Sequence, residues 1–429
     1  MNNVSPDKNF YSREEKEAVG EELLEEKDNI ETEESSEEEE KEETENNTSS
    51  NKLIQDEFRG KMIKLFGIVF IALVVILVVG FIISLFTKKN YTYYDVEDVI
   101  EDAAKMYFED NKKKLPSSDE IVEITTSKLI SEGYLKEMDY YIKGETCAGK
   151  VTVSKVGKKE YKYLPYLSCS NKYKTEKIIN KVKDSKIVTE GFGLYSLNNE
   201  YVYRGTTVNN YIKFKDNDNL FRIVKINNND EIVIIDSSYT NNRFIFDERY
   251  NSITEDNSGI NIYKNSSIST YLDRLYSNKL NSGDDDDYYE DEKKLFTKED
   301  KNQLVTFKSC VGARSETDTT KDGSTECKTT YETKLSLLPV YDFLNASLDL
   351  NCTSTIKPDC QNYNYLVSDA AYWLSNGSAE DTAKAYIVGD SIDSIGTERE
   401  YRIRAVAHLS SDVRYISGNG TKDKPYVIR

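Results

Sequence analysis

The chain has 429 residues, of which 76 are acidic, 57 are basic and only one is histidine. Residues 1–50 hold 19 of the acidic residues and 5 of the basic ones, so most of the net charge of −19 lies there and the remaining chain is close to neutral. This balance argues against a nucleic-acid-binding protein, which needs a basic surface to displace counterions from phosphate. One histidine and no closely spaced cysteine pair argue against most zinc sites and histidine-based catalysis.

The N-terminal residues 1–58 carry a dense run of glutamates and almost no apolar periodicity. A segment of this composition cannot bury enough apolar surface to offset its conformational entropy. The sequence therefore predicts a disordered, acidic cytoplasmic tail. Two interpretations of the tail stay open: an arm that recruits a partner, or a solvated segment that has none.

The following segment is strongly apolar, with 23 consecutive uncharged residues from Leu65 to Thr87. At ~1.5 Å per residue, a helix of this length crosses a hydrocarbon layer of ~30 Å. A cleavable signal peptide is disfavoured because the stretch is too long, lies far along the chain and lacks a small-x-small exit. We therefore expect a single transmembrane helix over residues 62–87, with membrane lipid as its partner.

Charge and cysteine positions predict the orientation. Four basic residues precede the apolar segment and two follow it, namely Lys52, Arg59, Lys61 and Lys64, then Lys88 and Lys89. The positive-inside rule then favours a cytoplasmic N-terminus and an extracellular C-terminus. All six cysteines follow the segment, and an even number in one compartment favours disulfides in an oxidising exterior. The simplest pairing is sequential: Cys147–Cys169, Cys310–Cys327 and Cys352–Cys360. A cytosolic body with six reduced thiols is the alternative.

The sequence pattern of residues 91–171 predicts a small α+β module. Apolar residues recur on one face from Tyr94 to Asp110, which is typical of an amphipathic helix. A shorter helix is expected after a cap at Thr125 or Thr126, ending at Gly133. Residues 150–154 and 160–167 alternate as two strands joined by a turn, so helices come first and a hairpin follows.

The stretches AAKMYFEDN, LISEGYLKE and GETCAGKVTVSKVGKKEYKYLPYLSC resemble a small pilin-like module found in membrane-anchored exoproteins of Gram-positive bacteria of the Bacilli and Clostridia type. The resemblance covers about 80 residues, and it implies a membrane helix that continues into the exterior helix. It also implies that two late cysteines, here Cys147 and Cys169, close the sheet. The chain departs from true pilins because it has no short leader ending in Gly before Phe with Glu four residues on.

Residues 172–189 are interpreted as a linker, in which the lysine-rich part to Lys186 suits a helix or a strand pair. Residues 190–429 predict a larger, strand-rich domain of α+β class. Strands are expected at 201–203, 210–215, 220–226, 231–235, 402–408 and 426–428, with helices at 269–280 and 338–346. The turn of a hairpin is expected at 227–230.

Three stretches of this domain carry a second resemblance: YVYRGTTVNNYIKFKDNDNLFRIVKI, NYNYLVSDAAYWLSNGS and YRIRAVAHLSSDVRYISGNGTKDKPYVIR. They look like an uncharacterised extracellular domain family of Firmicutes, which is similar to C-type-lectin-like and sulfatase-modifying-factor-like folds. The catalytic cysteine pair of the modifying factors and the calcium-binding motifs of the lectins are absent. The resemblance therefore implies a fold, and no catalytic or sugar-binding residue transfers with it.

An acidic run is the strongest metal candidate in the sequence. It consists of Asp284, Asp285, Asp286, Asp287, Glu290, Asp291 and Glu292. Dense carboxylates suit Ca²⁺, which takes six to eight oxygen ligands. The run lacks the spaced acids, central Gly and final Glu of an EF-hand loop, so a solvated insertion loop is the favoured interpretation.

Six other positions are candidate site residues. His408 has no Ser or Cys partner in the pattern and is expected to be structural. Arg222 and Arg404 are expected to pair with a buried acid or to line a pocket, with a structural role favoured, and Trp373 is expected in the core. Gly418 and Gly420 suit a tight turn, because no helix follows that would make them a phosphate-binding loop.

These patterns favour a cell-surface protein that displays a binding or adhesion domain for a surface glycan or protein ligand, with no enzymatic activity and no cofactor. Two alternatives stay open: a pseudopilin-like component of a secretion or uptake apparatus, and a surface enzyme. The sequence leaves the oligomeric state undetermined.

Overall fold

A computed structural model describes residues 70, 90–118, 120–279, 292–349, 351–352 and 364–429. The predicted acidic tail and, apart from Phe70, the predicted membrane segment lie outside these residues. No helix within the described ranges is long and apolar enough to cross a membrane. The chain divides into two compact units, 1–89 and 90–429, and the helices and strands named here all lie in the second. It is a strand-rich, mixed α+β structure.

The first part of this unit combines three helices, the longest of which packs on the sheet, with a four-stranded antiparallel sheet of order β1-β2-β3-β4. Its elements are α1 (Tyr93–Asp110), β1 (Ile121–Thr125), α2 (Thr126–Ser131), α3 (Met138–Tyr141), β2 (Cys147–Lys155), β3 (Tyr161–Cys169) and β4 (Tyr173–Lys174). A capping box fixes the start of α1, since Thr92 and Asp95 accept each other's backbone N–H. The predicted helices and hairpin are present, but strand β1, which pairs along β2, was missed.

The predicted linker is part of the fold. It contains β4, β5 (Glu176–Lys177) and α4 (Ile178–Lys183), so it forms both strands and a helix. Strand β5 pairs with β20 (Arg414–Ser417) at the edge of the large sheet. Ile178 and Val182 of α4 are fully buried in the core of residues 178–428. The segment therefore does not act as a simple spacer.

A ten-stranded sheet dominates residues 176–429. Its main path runs β12-β19-β10-β9-β8-β21-β20-β5, and β7 branches from β9 and carries β6. The remaining strands of this sheet are β6 (Gly193–Leu197), β7 (Glu200–Arg204), β8 (Tyr211–Phe214), β9 (Phe221–Ile226), β10 (Ile232–Asp236), β12 (Leu304–Val305), β19 (Val406–Leu409) and β21 (Tyr426–Ile428). Between the strands of this sheet that the structure describes, the pairings are antiparallel except that of β8 with β21. Strands β9 and β10 are buried on both faces.

Smaller elements cover this sheet. Three strands form a separate sheet, β15 (Tyr372–Gly377), β16 (Lys384–Val388) and β17 (Ile392–Gly396). Two short pairs are β11 (Phe244–Ile245) with β18 (Glu400–Tyr401) and β13 (Phe307–Cys310) with β14 (Thr330–Thr333). The helices are α5 (Ser267–Ser277), α6 (Lys298–Lys301) and α7 (Val340–Ala346), and 3₁₀ turns occur at Lys112–Lys114 and Glu326–Lys328. Helix α5 ends earlier than predicted because Asn278 adopts a left-handed conformation.

Two predicted disulfides are confirmed, Cys147–Cys169 and Cys310–Cys327. The first joins residues directly opposite each other on β2 and β3. Cys352 is buried and disulfide-bonded, while its predicted partner Cys360 lies outside the described residues.

Candidate functional site

A groove of about 570 Å³ opens where β8 and β21 run parallel, at the end of the chain. A cavity of this size falls in the range of ~300–1,000 Å³ that small-ligand sites occupy. Its lining residues are Lys213, Asp218, Leu220, Ser417, Gly418, Lys422, Asp423, Lys424, Pro425 and Val427. We call it the lysine groove.

One wall of the lysine groove is the reversal from Ser417 to Pro425, and its shape requires glycine. Gly418 and Gly420 have φ values of +95° and +80°, which place both in the left-handed region. A Cβ on Gly418 would overlap the carbonyl oxygen of Pro425. The Asn419 side chain accepts the Thr421 N–H, and the Asn419 N–H donates to the Lys424 carbonyl at 2.9 Å. The tight turn predicted from the two glycines is thus present.

The charges on the lysine groove favour an anion. Lys213 lies 3.8 Å from Asp218, which is fully exposed. Within the described ranges, Lys422 and Lys424 make no ion pair, so their ammonium groups are available to a ligand. Three lysines against two aspartates leave a local positive excess on a chain of net charge −19. The polar side chains of the lining are three lysines, two aspartates and one serine.

The predicted acidic site is almost wholly outside the described residues. Asp284, Asp285, Asp286, Asp287, Glu290 and Asp291 lie outside the described residues. Glu292 is among the residues that the structure describes, and it is buried. Its Oε1 accepts the Asn242 backbone N–H at 2.6 Å and the Asn242 side-chain amide at 3.1 Å. Glu292 therefore anchors the end of the acidic run and does not lie in a solvated loop.

One group of possible metal ligands occurs in the part of the chain that the structure describes: Glu145 with Cys147 and Cys169. The two sulfur atoms are bonded to each other, and Glu145 binds Lys172 Nζ at 2.9 Å. Thiolate ligands are therefore lacking, and the group does not fit a metal.

His408 occupies a structural position. Its Nδ1 lies 2.9 Å from Oε2 of Glu231, and its ring stacks on Phe307 with 3.7 Å between the ring centres. Burial lowers the pKa of His408 by more than Glu231 raises it. This strand position explains its presence without a catalytic role.

Arg222 and Arg404 bond to neutral groups rather than to a buried carboxylate. The Arg222 guanidinium lies between the rings of Tyr211 and Tyr365, at 4.3 and 4.4 Å, and donates to Asn210 Oδ1 at 2.8 Å. Arg404 donates to the carbonyls of Asp236 and Leu366. The structure shows cation–π packing and backbone bonding in place of the predicted acid partners.

Trp373 is fully buried, as predicted, and it fixes β15 against β11. Its Nε1 donates to the Phe244 carbonyl at 2.7 Å. Its ring packs edge-on against Phe246 and Tyr401.

Sequence reasoning missed a buried polar cluster inside the domain, which we call the Lys225 cluster: Lys225, Asp342, Glu200 and Tyr341. Lys225 and Asp342 side chains are each 5% exposed, and Nζ lies 2.9 Å from Oδ1 of Asp342. The same Nζ lies 3.2 Å from Glu200 Oε2 and 3.2 Å from the Tyr341 hydroxyl. A lysine in an alternating strand normally faces solvent, so β9 gave no local signal that both its faces are covered.

A second missed network joins the two cores, and we call it the Glu97 junction. Glu97 on α1 is 1% exposed and accepts bonds from Arg414 at 3.2 Å, Arg429 at 2.6 Å and the Tyr173 hydroxyl at 2.7 Å. The Thr175 hydroxyl also donates to it. An acid inside an amphipathic helix is expected on the exposed face, so its burial could not be read from α1 alone.

No protein family, no curated protein and no solved structure matches the chain.

Proposed function

We propose that the chain is a membrane-anchored surface protein whose C-terminal domain binds an acidic polysaccharide in the lysine groove. The observation that supports the ligand class is the pair of ammonium groups, Lys422 and Lys424, that line the groove and make no ion pair within the described residues. Carboxylate or sulfate groups on a sugar chain would supply the missing countercharge.

The anchor and the exterior location rest on the sequence and on the cysteines. The uncharged run from Leu65 to Thr87 has the length of a membrane-spanning helix. Disulfides at Cys147–Cys169 and Cys310–Cys327 suit an oxidising compartment. Both features support an exterior location for the domain, where a polysaccharide ligand would be accessible. The pilin-like character of residues 91–171 and the lectin-like character of residues 190–429 belong to this proposal.

The test is a binding assay with the purified full-length chain in detergent micelles. Acidic and neutral polysaccharides of matched length are immobilised, and the dissociation constant of each is measured at two salt concentrations. We expect binding to the acidic series alone, and we expect it to weaken as salt rises because exposed charges are screened within ~10 Å at 0.1 M. Equal affinity for the neutral series would overturn the ligand assignment.

A matched pair of variants assigns the binding to the groove. The double variant Lys422→Ala/Lys424→Ala removes both free ammonium groups and should weaken binding by roughly tenfold or more, at ~1 kcal/mol per lost contact. The control, Lys158→Ala/Lys159→Ala, removes the same charge from the exposed turn between β2 and β3. An equal loss in both variants would indicate a general charge effect and would remove the groove from the proposal.

Calcium separates this site from the acidic run. Binding in the lysine groove is expected to persist after chelation of divalent cations, because the groove's ligand contacts are ammonium groups. Binding that disappears with chelator would instead favour a Ca²⁺ site in the run from Asp284 to Glu292.

A further inference from the structure

The Lys225 cluster places an amine and a carboxyl group in contact where little water reaches them. Lys225 lies on central strand β9, and Asp342 lies in the first turn of α7. Each side chain is held between packed elements, and Nζ and Oδ1 are 2.9 Å apart. Two groups fixed at this separation react as if each were present at very high concentration.

We propose that Lys225 and Asp342 are joined by an intramolecular amide bond, formed with Glu200 as the proton carrier. The bond would tie β9 to α7 and would make the domain a covalently closed loop in addition to its disulfides. This goes beyond the proposed binding function, which does not depend on it.

The reaction balances without any co-reactant. The Lys225 ammonium first gives a proton to the Asp342 carboxylate, which leaves a neutral amine facing a neutral acid. Nζ then attacks Cγ of Asp342, and Glu200 takes a second proton from Nζ. Glu200 returns that proton to the departing hydroxyl group, the Cγ–O bond breaks, and one water molecule leaves. Glu200 ends in its starting state, and the product is a secondary amide.

The charges in the cluster act on these proton transfers in opposite directions. Two carboxylates share one ammonium group, so one of the three charges stays uncompensated in a desolvated site. Burial raises the pKa of Glu200, against an opposing effect from Lys225, which makes Glu200 a better proton acceptor than an exposed glutamate. Burial lowers the pKa of Lys225, but Asp342 and Tyr341 raise it by more. The ammonium form is therefore the stable one, and the first proton transfer is the uphill step of the reaction. The neutral amide that forms removes the cost of keeping an ion pair buried.

A cavity beside the Lys225 cluster can hold the water molecule that the reaction releases. A cavity of about 80 Å³ adjoins the cluster and is lined by Glu200 and Tyr341, together with Asn198, Asn228 and Asn345 among others. A water molecule takes ~30 Å³ of liquid volume and needs a few polar partners, and this cavity supplies both. Removal of water from the site favours the amide over hydrolysis.

Intact-mass spectrometry of the full-length chain tests the proposal. The protein is reduced and alkylated so that disulfides do not contribute, and its mass is compared with the mass calculated from the sequence. We expect a deficit of one water molecule, and a tryptic peptide in which Lys225 is uncleaved and bonded to the segment containing Asp342. A wild-type chain of full calculated mass overturns the proposal.

Three variants identify the atoms and the carrier. Lys225→Arg and Asp342→Ala lack one reacting group and should each have the full calculated mass. Glu200→Gln keeps both reacting groups and the shape of the site, and should also have the full mass while its circular dichroism stays that of the folded wild type. Tyr341→Phe removes only a hydroxyl and serves as the matched control that retains the deficit. A deficit that persists in Asp342→Ala would place the lost water elsewhere and contradict the assignment.

Discussion

The Glu97 junction allows a sharp test of how the two cores of residues 90–429 are held together. The substitution Glu97→Gln keeps the size of the side chain and its ability to accept a bond from Tyr173. It removes the negative charge that faces two guanidinium groups. The side chains of Arg414 and Arg429 are only 10% and 9% exposed, so water cannot replace the lost carboxylate.

The magnitude follows from the burial of all three groups. Removing one partner of a buried ion pair costs about 3–5 kcal/mol, because the remaining charge stays desolvated. Asp98 lies 2.5 Å from Arg429 and Glu101 lies 3.4 Å from Arg414, and these acids compensate part of the loss. We therefore expect Glu97→Gln to lower the free energy of unfolding by about 3 kcal/mol.

Urea denaturation of the full-length chain in micelles, followed by far-ultraviolet circular dichroism, measures the loss. The matched control is Glu101→Gln, one turn along α1. Glu101 is 20% exposed and also contacts the exposed Lys105, so its removal should cost at most about 1 kcal/mol. Equal effects of the two variants, or a loss below about 1 kcal/mol for Glu97→Gln, would refute the argument that the junction depends on a desolvated carboxylate.

Three further predictions concern the loops and disulfides. Burial, and to a smaller extent the charge of Arg204, lowers the pKa of Lys321 from its usual 10.5 to about 8. Between these two pH values the unfolded chain binds more protons than the folded chain, so the free energy of unfolding rises with pH. Lys321→Met should flatten this rise in denaturation curves and add about 1 kcal/mol of stability at pH 7 after allowance for solvent screening. Gly418→Ala should weaken polysaccharide binding and lower the thermal midpoint of unfolding. The reason is that Gly418 has a φ of +95° and that an added Cβ would overlap the Pro425 carbonyl. Unchanged binding would show that the turn tolerates this strain. The chain should run differently on reducing and non-reducing gels, and identical mobility would contradict the disulfides.

Local patterns predicted the elements whose signals lie in consecutive residues. The apolar face of α1 is typical of an amphipathic helix, and Val96, Ile100 and Ala104 are indeed buried. The β2–β3 hairpin and the pairing of Cys147 with Cys169 followed from alternation and from order along the chain. The weak strand β1 was missed because four of its five residues are not buried, so its pairing with β2 depends on main-chain bonds that leave little trace in composition.

The candidate sites depend on contacts between distant residues, and sequence order does not reveal these. Lys225 and Asp342 come together only because β9 lies in the centre of the sheet and α7 packs beside it. Charged residues are almost never fully buried unless they are paired, so a single sequence favours a solvent-facing position for each of them. The lysine groove was closer to prediction, since Gly418 and Gly420 indicated its turn. The other wall, where β8 pairs in parallel with β21, could not be inferred from the sequence. Parallel strands are not joined by a short turn, so no local pattern indicates their pairing.

The lysine groove and the Glu97 junction share one strand, and this links ligand binding to the packing of α1. Strand β20 carries Arg414, which binds Glu97, and ends at Ser417 on the groove wall. Tyr94 on α1 also donates its hydroxyl proton to the Ile416 carbonyl. These contacts hold β20, and β20 holds the turn that follows it. The turn therefore loses little conformational entropy when a ligand binds, which favours affinity. A loosened junction should therefore weaken binding in the groove even though none of its residues contacts the ligand.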